Sequence, residues 1–126
     1  MQITYAIRFL YKSDQEFSGV RENIDLATLS SAMHHALETS PRYCVIHRTI
    51  DGEAFDYQTM HYWSDTNADD IDERIASLRE DERLLNLPID RRFKAGCFYM
   101  TPAELRAARM DVEVDEHVRS TQKPIL

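Results

Sequence analysis

Tyr43-Cys44-Val45-Ile46-His47-Arg48-Thr49-Ile50-Asp51-Gly52-Glu53-Ala54-Phe55-Asp56-Tyr57 is the stretch whose reading decides the fold. Two runs rich in β-branched and aromatic residues, Tyr43–Ile50 and Glu53–Trp63, are joined by Asp51-Gly52. That dipeptide tolerates two successive residues at positive φ, as a type I′ two-residue turn requires, and the twist of such a turn matches that of the flanking strands. An antiparallel hairpin is expected. Its register follows from the turn: His47 faces Asp56, Ile46 faces Tyr57 and Cys44 faces Thr59. Cys44, Ile46, Phe55 and Tyr57 then form an apolar face. Val45, His47, Thr49, Asp56, Gln58 and Met60 form the more solvated one.

On the N-terminal side, residues 2–12 alternate with period two: Ile3, Tyr5, Ile7, Phe9 and Tyr11 point one way, and Thr4, Arg8 and Lys12 the other. This predicts a half-buried strand. Ser13 to Asn23 reads as a polar loop with a short strand at Phe17–Val20. Asp25 caps a helix over 26–38 whose apolar stripe is Leu26, Leu29, Met33 and Leu37, and Ser40-Pro41 ends it. Beyond the hairpin, Asn67 caps a second helix over 68–85, with Ile71, Ile75, Leu78 and Leu85 on one side. Asp70 and Arg74 stand four residues apart on it. Leu87-Pro88 closes that helix.

Phe93–Met100 reads as a fourth strand. Thr101-Pro102-Ala103-Glu104 is a capping box with proline at N1, opening a short third helix over 102–110. Asp111–His117 reads as an edge strand. The order β-α-β-β-α-β predicts an α+β, ferredoxin-like antiparallel sheet with strand order 4-1-3-2, both long helices on one face, and a short C-terminal helix. In that order the strand at 2–12 lies between those at 93–100 and 53–63, and the strand at 43–50 is an edge. The domain is expected to span residues 1–118, with 119–126 as a flexible C-terminal tail.

At 126 residues the chain has the length of one ordinary domain. Cys44 and Cys97 are its two cysteines. In the expected topology they lie on opposite edge strands, too far apart for a disulfide, which suits a reducing compartment. No apolar run reaches the roughly 20 residues of a membrane span. The first residues lack the basic and apolar regions of a secretory leader, so a cytoplasmic location is expected.

Charge is concentrated. Residues 51–82 carry eleven carboxylates against Arg74 and Arg79, a net of −9. The rest of the chain has thirteen Lys/Arg against eleven Asp/Glu, a net of +2. Such a surface attracts cationic partners and disfavours direct contact with a nucleic-acid backbone. The central strands also lack the basic-aromatic run of RNA-recognition modules.

Among candidates for chemistry, His47 and Asp56 stand first. A carboxylate opposite an imidazole fixes its tautomer and raises its basicity, as a general base requires. The competing reading is an ordinary cross-strand polar pair. No metal site and no cofactor are expected. His34 and His35 are adjacent and point about 100° apart on a helix. Asp65, Asp69 and Asp70 lack both the glycine and the bidentate glutamate of a calcium loop. Glycines at 19, 52 and 96 make no phosphate cradle.

Two readings of function follow. In the first, the chain is a small, acidic, non-catalytic interaction protein that binds a basic partner surface. The partner-binding candidates are Asp65, Asp69, Asp70, Asp72, Glu73 and Glu80, with Tyr62 and Trp63 as the aromatic element beside the acidic helix. The partner would be a basic protein, of the kind that binds nucleic acids. In size and composition, though in no motif, the chain resembles small acidic inhibitors of phages and mobile elements, anti-CRISPR proteins among them. That resemblance implies inhibition of a nucleic-acid-binding complex by mimicry of its ligand. The alternative is a small enzyme or ligand binder of the dimeric α+β-barrel type, a homodimer with His47, Asp56, Arg8 and Gln58 in a pocket on the open sheet face.

Overall fold

The alternation that predicts strands and the caps that predict helices place most of the elements. A computed structural model describes residues 1–11, 18–61 and 66–109, with the backbone alone for Ser18 and residues 57–61. Its elements are β1 (Ile3–Leu10), β2 (Ser18–Ile24), α1 (Leu26–Thr39), β3 (Tyr43–Ile50), β4 (Glu53–His61), α2 (Ala68–Leu85) and α3 (Ile89–Lys94), followed by a helix over residues 102–109, here α4. The predicted strand at 111–117 and the tail lie outside the described residues.

Local signals act as expected. The Asp25 side chain accepts from the Thr28 amide at 2.8 Å, and Ser40 leaves α1 in the left-handed conformation. Asn67 and Asp70 exchange side-chain and backbone hydrogen bonds, both 2.9 Å, in a reciprocal capping box that opens α2. Thr101 and Glu104 do the same for α4, at 2.7 and 3.2 Å. Each cap satisfies amides that the first turn of a helix leaves without partners.

Asp51 and Gly52 both have positive φ, +52° and +80°, so the two-residue turn forms. Asp51 also ties the turn to the N-terminus, accepting from the Gln2 amide at 2.7 Å and donating its own amide to Gln2 O at 2.8 Å. No atom stands within 4 Å of a Cβ built at Gly52, so Gly52→Val meets backbone strain alone. The expected cost is about 1–2 kcal/mol, read as a lowered midpoint in urea denaturation.

The sheet is four-stranded, antiparallel and open, with order β2-β1-β3-β4. This corrects the ferredoxin-like expectation in three respects. Phe93–Met100 is not a strand: α3 takes residues 89–94, a turn follows at 95–96, and residues 97–100 are irregular. The place beside β1 is filled by β2, seven residues of largely polar sequence. Consequently β1 pairs along its whole length with Tyr43–Ile50 and not with the strand that begins at Glu53, so Cys44 sits on a central strand.

The physical reason lies in the backbone. An edge strand needs only to satisfy its neighbour's amides and carbonyls, so β2 carries no apolar alternation to read. Because β2 and β3 both run antiparallel to β1, the unit β2-α1-β3 is a crossover with β1 inserted. The split crossover is therefore present, displaced by one strand.

A second correction concerns the hairpin. Ile50 faces Glu53 and Thr49 faces Ala54, as the turn dictates. Phe55 is then skipped, so Arg48 faces Asp56, His47 faces Tyr57, Ile46 faces Gln58, Val45 faces Thr59 and Cys44 faces Met60. A one-residue bulge shifts the register of every later pair by one.

The helices cover one face. Tyr5, Ile7, Phe9, Leu26, Leu29, Met33, Cys44, Ile46, Ile71, Ile75 and Leu78 are buried in one cluster, with Ile3 and Leu37 at its margin. Phe55 is half-buried and lies outside it. No helix among the described residues is long and apolar enough to cross a membrane.

Candidate functional site

The eleven carboxylates of residues 51–82 divide by what they touch. Asp51 caps the N-terminus, as above, and Glu53 pairs with Arg106 of α4. Asp56 and Asp81 hold Arg48, and Glu82 accepts from the Tyr5 hydroxyl at 2.7 Å. Asp70 belongs to the capping box. Asp72 reaches across to His34 of α1 at 2.9 Å, and Glu80 pairs with Arg83 one turn on. Asp69 and Glu73 are exposed and make no hydrogen bond or ion pair among the described residues. Asp65, Tyr62 and Trp63 lie outside the described residues.

The acidic surface is therefore narrower than the sequence implies. It is the outer side of the first two turns of α2, with Asp69 and Glu73 uncommitted and Asp70 and Asp72 at their flanks. At the hairpin tip Glu53 is matched by Arg106, Asp56 by Arg48, and Asp51 is engaged by the Gln2 amide. Acidic residues at a helix N-terminus also complement the helix dipole, so this end holds negative charge at small cost. A shallow groove of about 340 Å³ runs along it, lined by Asp70, Glu73, Arg74 and Ser77. It is large enough to receive one long cationic side chain.

His47 and Asp56 are not cross-strand partners: His47 faces Tyr57 and Arg48 faces Asp56. The Asp56 carboxylate accepts from Arg48 Nε at 2.7 Å and from a second guanidinium nitrogen. His47 stays on the open face, level with Ala6 of β1. A groove of about 270 Å³ is lined by Thr4, Arg8, Glu22, His47 and Asp56 among others, so His47 and Asp56 share its wall although they are not opposite in the register. Arg8 and Glu22 bridge its rim at 3.7 Å.

Arg48 carries a signal that is legible in the sequence. In Cys44-Ile46-Arg48-Ile50 it holds an inward position of a half-buried strand, and a charge at such a position demands partners. It is 1% exposed. Asp56 and Asp81 hold its two ends, and the rings of Phe55 and Tyr99 lie 5.1 and 5.9 Å from its guanidinium carbon. Burial works against its charge, but the hydrogen bonds to the two carboxylates outweigh it, and its pKa is raised. This is a satisfied structural network. Cys44 is likewise no nucleophile: burial pushes its thiol up to about 12, protonated at neutral pH.

Among the described residues no group of three or more His, Cys, Asp or Glu side chains is placed to hold a metal ion. Compared with protein-family models, with curated proteins and with solved structures, the chain matches none of them.

Proposed function

We propose that the protein is a non-catalytic interaction protein whose acidic α2 surface binds a basic partner. The observation that carries the reading is the state of Asp69 and Glu73. Both are exposed on the first turns of α2 and serve no cap, ion pair or buried contact among the described residues, beside a groove lined by Asp70, Glu73, Arg74 and Ser77. The enzyme alternative needs Asp56 to serve His47, whereas both oxygens of the Asp56 carboxylate are engaged by Arg48. A Lys- or Arg-rich surface is the complementary chemistry, and proteins that grip nucleic-acid phosphates carry such surfaces. Inhibition of a nucleic-acid-binding complex is the role this reading favours.

The test is affinity purification from the native cell with mass spectrometry, using wild type and Asp69→Lys/Glu73→Lys. The double variant is expected to keep its melting temperature within a few degrees, since neither side chain supports the interior. Its affinity for the captured basic partner is expected to fall by about 2–5 kcal/mol where those groups meet desolvated cations. Wild-type binding is expected to weaken steeply from about 50 to about 300 mM salt, because exposed charge is screened within a Debye length. A partner indifferent to both changes, or a homodimer with no other protein attached, overturns the reading.

A further inference from the structure

At the far end of α2 the surface changes sign and character. Phe98 is 74% exposed and Phe93 38%, and their ring centroids lie 5.6 Å apart. Phe98 runs directly into Tyr99, itself exposed, whose ring meets Phe55 edge-on at 5.8 Å. Two ring pairs, Phe93–Phe98 and Phe55–Tyr99, thus meet at the consecutive positions 98 and 99, with Phe98 the most exposed ring. Arg91 and Lys94 stand exposed on α3 beside it, and neither makes an ion pair among the described residues.

The support beneath is rigid. Arg92, between Arg91 and Phe93, is 2% exposed and donates six hydrogen bonds that lock α3 against the end of α2 and against α4. With position 92 turned inward on a six-residue helix, Arg91 and Lys94 face solvent. Aromatic rings held in water on a fixed scaffold have little freedom left to lose on binding, and rigid aromatic anchors ringed by polar groups are what interface hot spots consist of.

We propose that this aromatic, basic surface docks a protein segment that presents an apolar side chain flanked by carboxylates. Charge complementarity with Arg91 and Lys94 selects the carboxylates, and the Phe93–Phe98 pair selects the apolar group. Phe93 packs against one side of Phe98, which leaves a single protruding ring and not a row of open faces for stacked bases. The chain's net charge of −7 also repels a continuous polyphosphate more than a segment with two or three acids. This surface is separate from the acidic turns of α2, and the protein would hold a basic partner at one end of that helix and an acidic segment at the other.

The test is a ¹⁵N–¹H NMR titration of the full chain with a short peptide alternating leucines with glutamate pairs. The same peptide with lysine for glutamate, an oligo(dT) and phosphatidylcholine/phosphatidylglycerol vesicles serve as competing probes. The expected result is saturable shifts of the amides of residues 91–99 with the glutamate peptide alone. Phe98→Ala is expected to weaken that binding at least about tenfold, and Arg91→Glu/Lys94→Glu to weaken it comparably and remove its salt dependence. Phe98 is exposed, so its variant folds. Shifts produced by the oligo(dT), the vesicles or the lysine peptide instead, glutamate-peptide binding indifferent to both variants, or no saturable shift at all, each overturn the proposal.

Discussion

Arg48→Ala is expected to remove about 3–5 kcal/mol of stability, the usual consequence of leaving buried opposite charges without their partner. Against a total of about 5–15 kcal/mol for a domain, that is enough to move a urea midpoint far outside error. In the native protein one guanidinium joins Asp56 of β4 to Asp81 of α2, whose side chains are 30% and 19% exposed. Without it the two carboxylates face each other across the sheet edge with neither cation nor full hydration. Arg48→Lys is expected to recover little, because one ammonium cannot reproduce the fork that grips Asp56 while also reaching Asp81. Arg48→Met with Asp56→Asn and Asp81→Asn removes all three charges together and is expected to recover much of the loss. An unchanged midpoint for Arg48→Ala would show that the network contributes nothing.

Arg92→Ala is expected to cost a similar amount, about 3–5 kcal/mol, and to do so locally first. The last carbonyls of a helix have no intrahelical donors. Arg92 supplies them to Leu84, Leu85 and Leu87 at 3.0–3.2 Å, reaches Tyr99 O at 2.9 Å, and forks onto Glu104 at 2.6 and 3.2 Å. Its loss frees α3 and α4 from the end of α2. Hydrogen exchange should show protection lost over residues 89–109 while the amides of β1 and β3 keep theirs. Uniform loss across both regions, or none, would contradict the local clamp.

Glu104 adds a pH dependence to the same clamp. Burial acts to raise its pKa, but the donors from Arg92 and Thr101 prevail and hold the carboxyl below the usual glutamate value of 4.5. A carboxyl whose folded pKa is lowered stabilises the protein fully above its ordinary value and loses that contribution as pH falls through the folded one. Glu104→Gln is therefore expected to melt below wild type at pH 7, with the gap narrowing as pH drops below 4.5. A gap constant with pH would mean that the carboxylate's charge is immaterial.

The candidate site was legible in outline and blurred in extent. The negative charge of residues 51–82 is plain in the sequence, yet which carboxylates remain outside internal pairs depends on cations such as Arg48 and Arg106. Their partners lie 8–53 positions away along the chain. The expected hairpin register holds as far as Thr49 and Ala54 and shifts by one at Phe55, so that Arg48 and not His47 stands opposite Asp56.

The features that can be read locally lie within about four residues of each signal: the Asn67–Asp70 and Thr101–Glu104 boxes, the Asp25 cap, the Asp51-Gly52 turn, and the apolar stripes of α1 and α2. These depend on hydrogen bonds and sterics between chain neighbours, so the residues that make them are also the ones that can be read. Strand order, the pairing of β2 with β1, the bulge, the choice of partners for Arg48 and the inward turn of Arg92 arise from contacts between distant parts of the chain. There the choice is among distant backbone partners that any sequence can supply, and among cations whose fate depends on which carboxylate or helix end the fold happens to bring near.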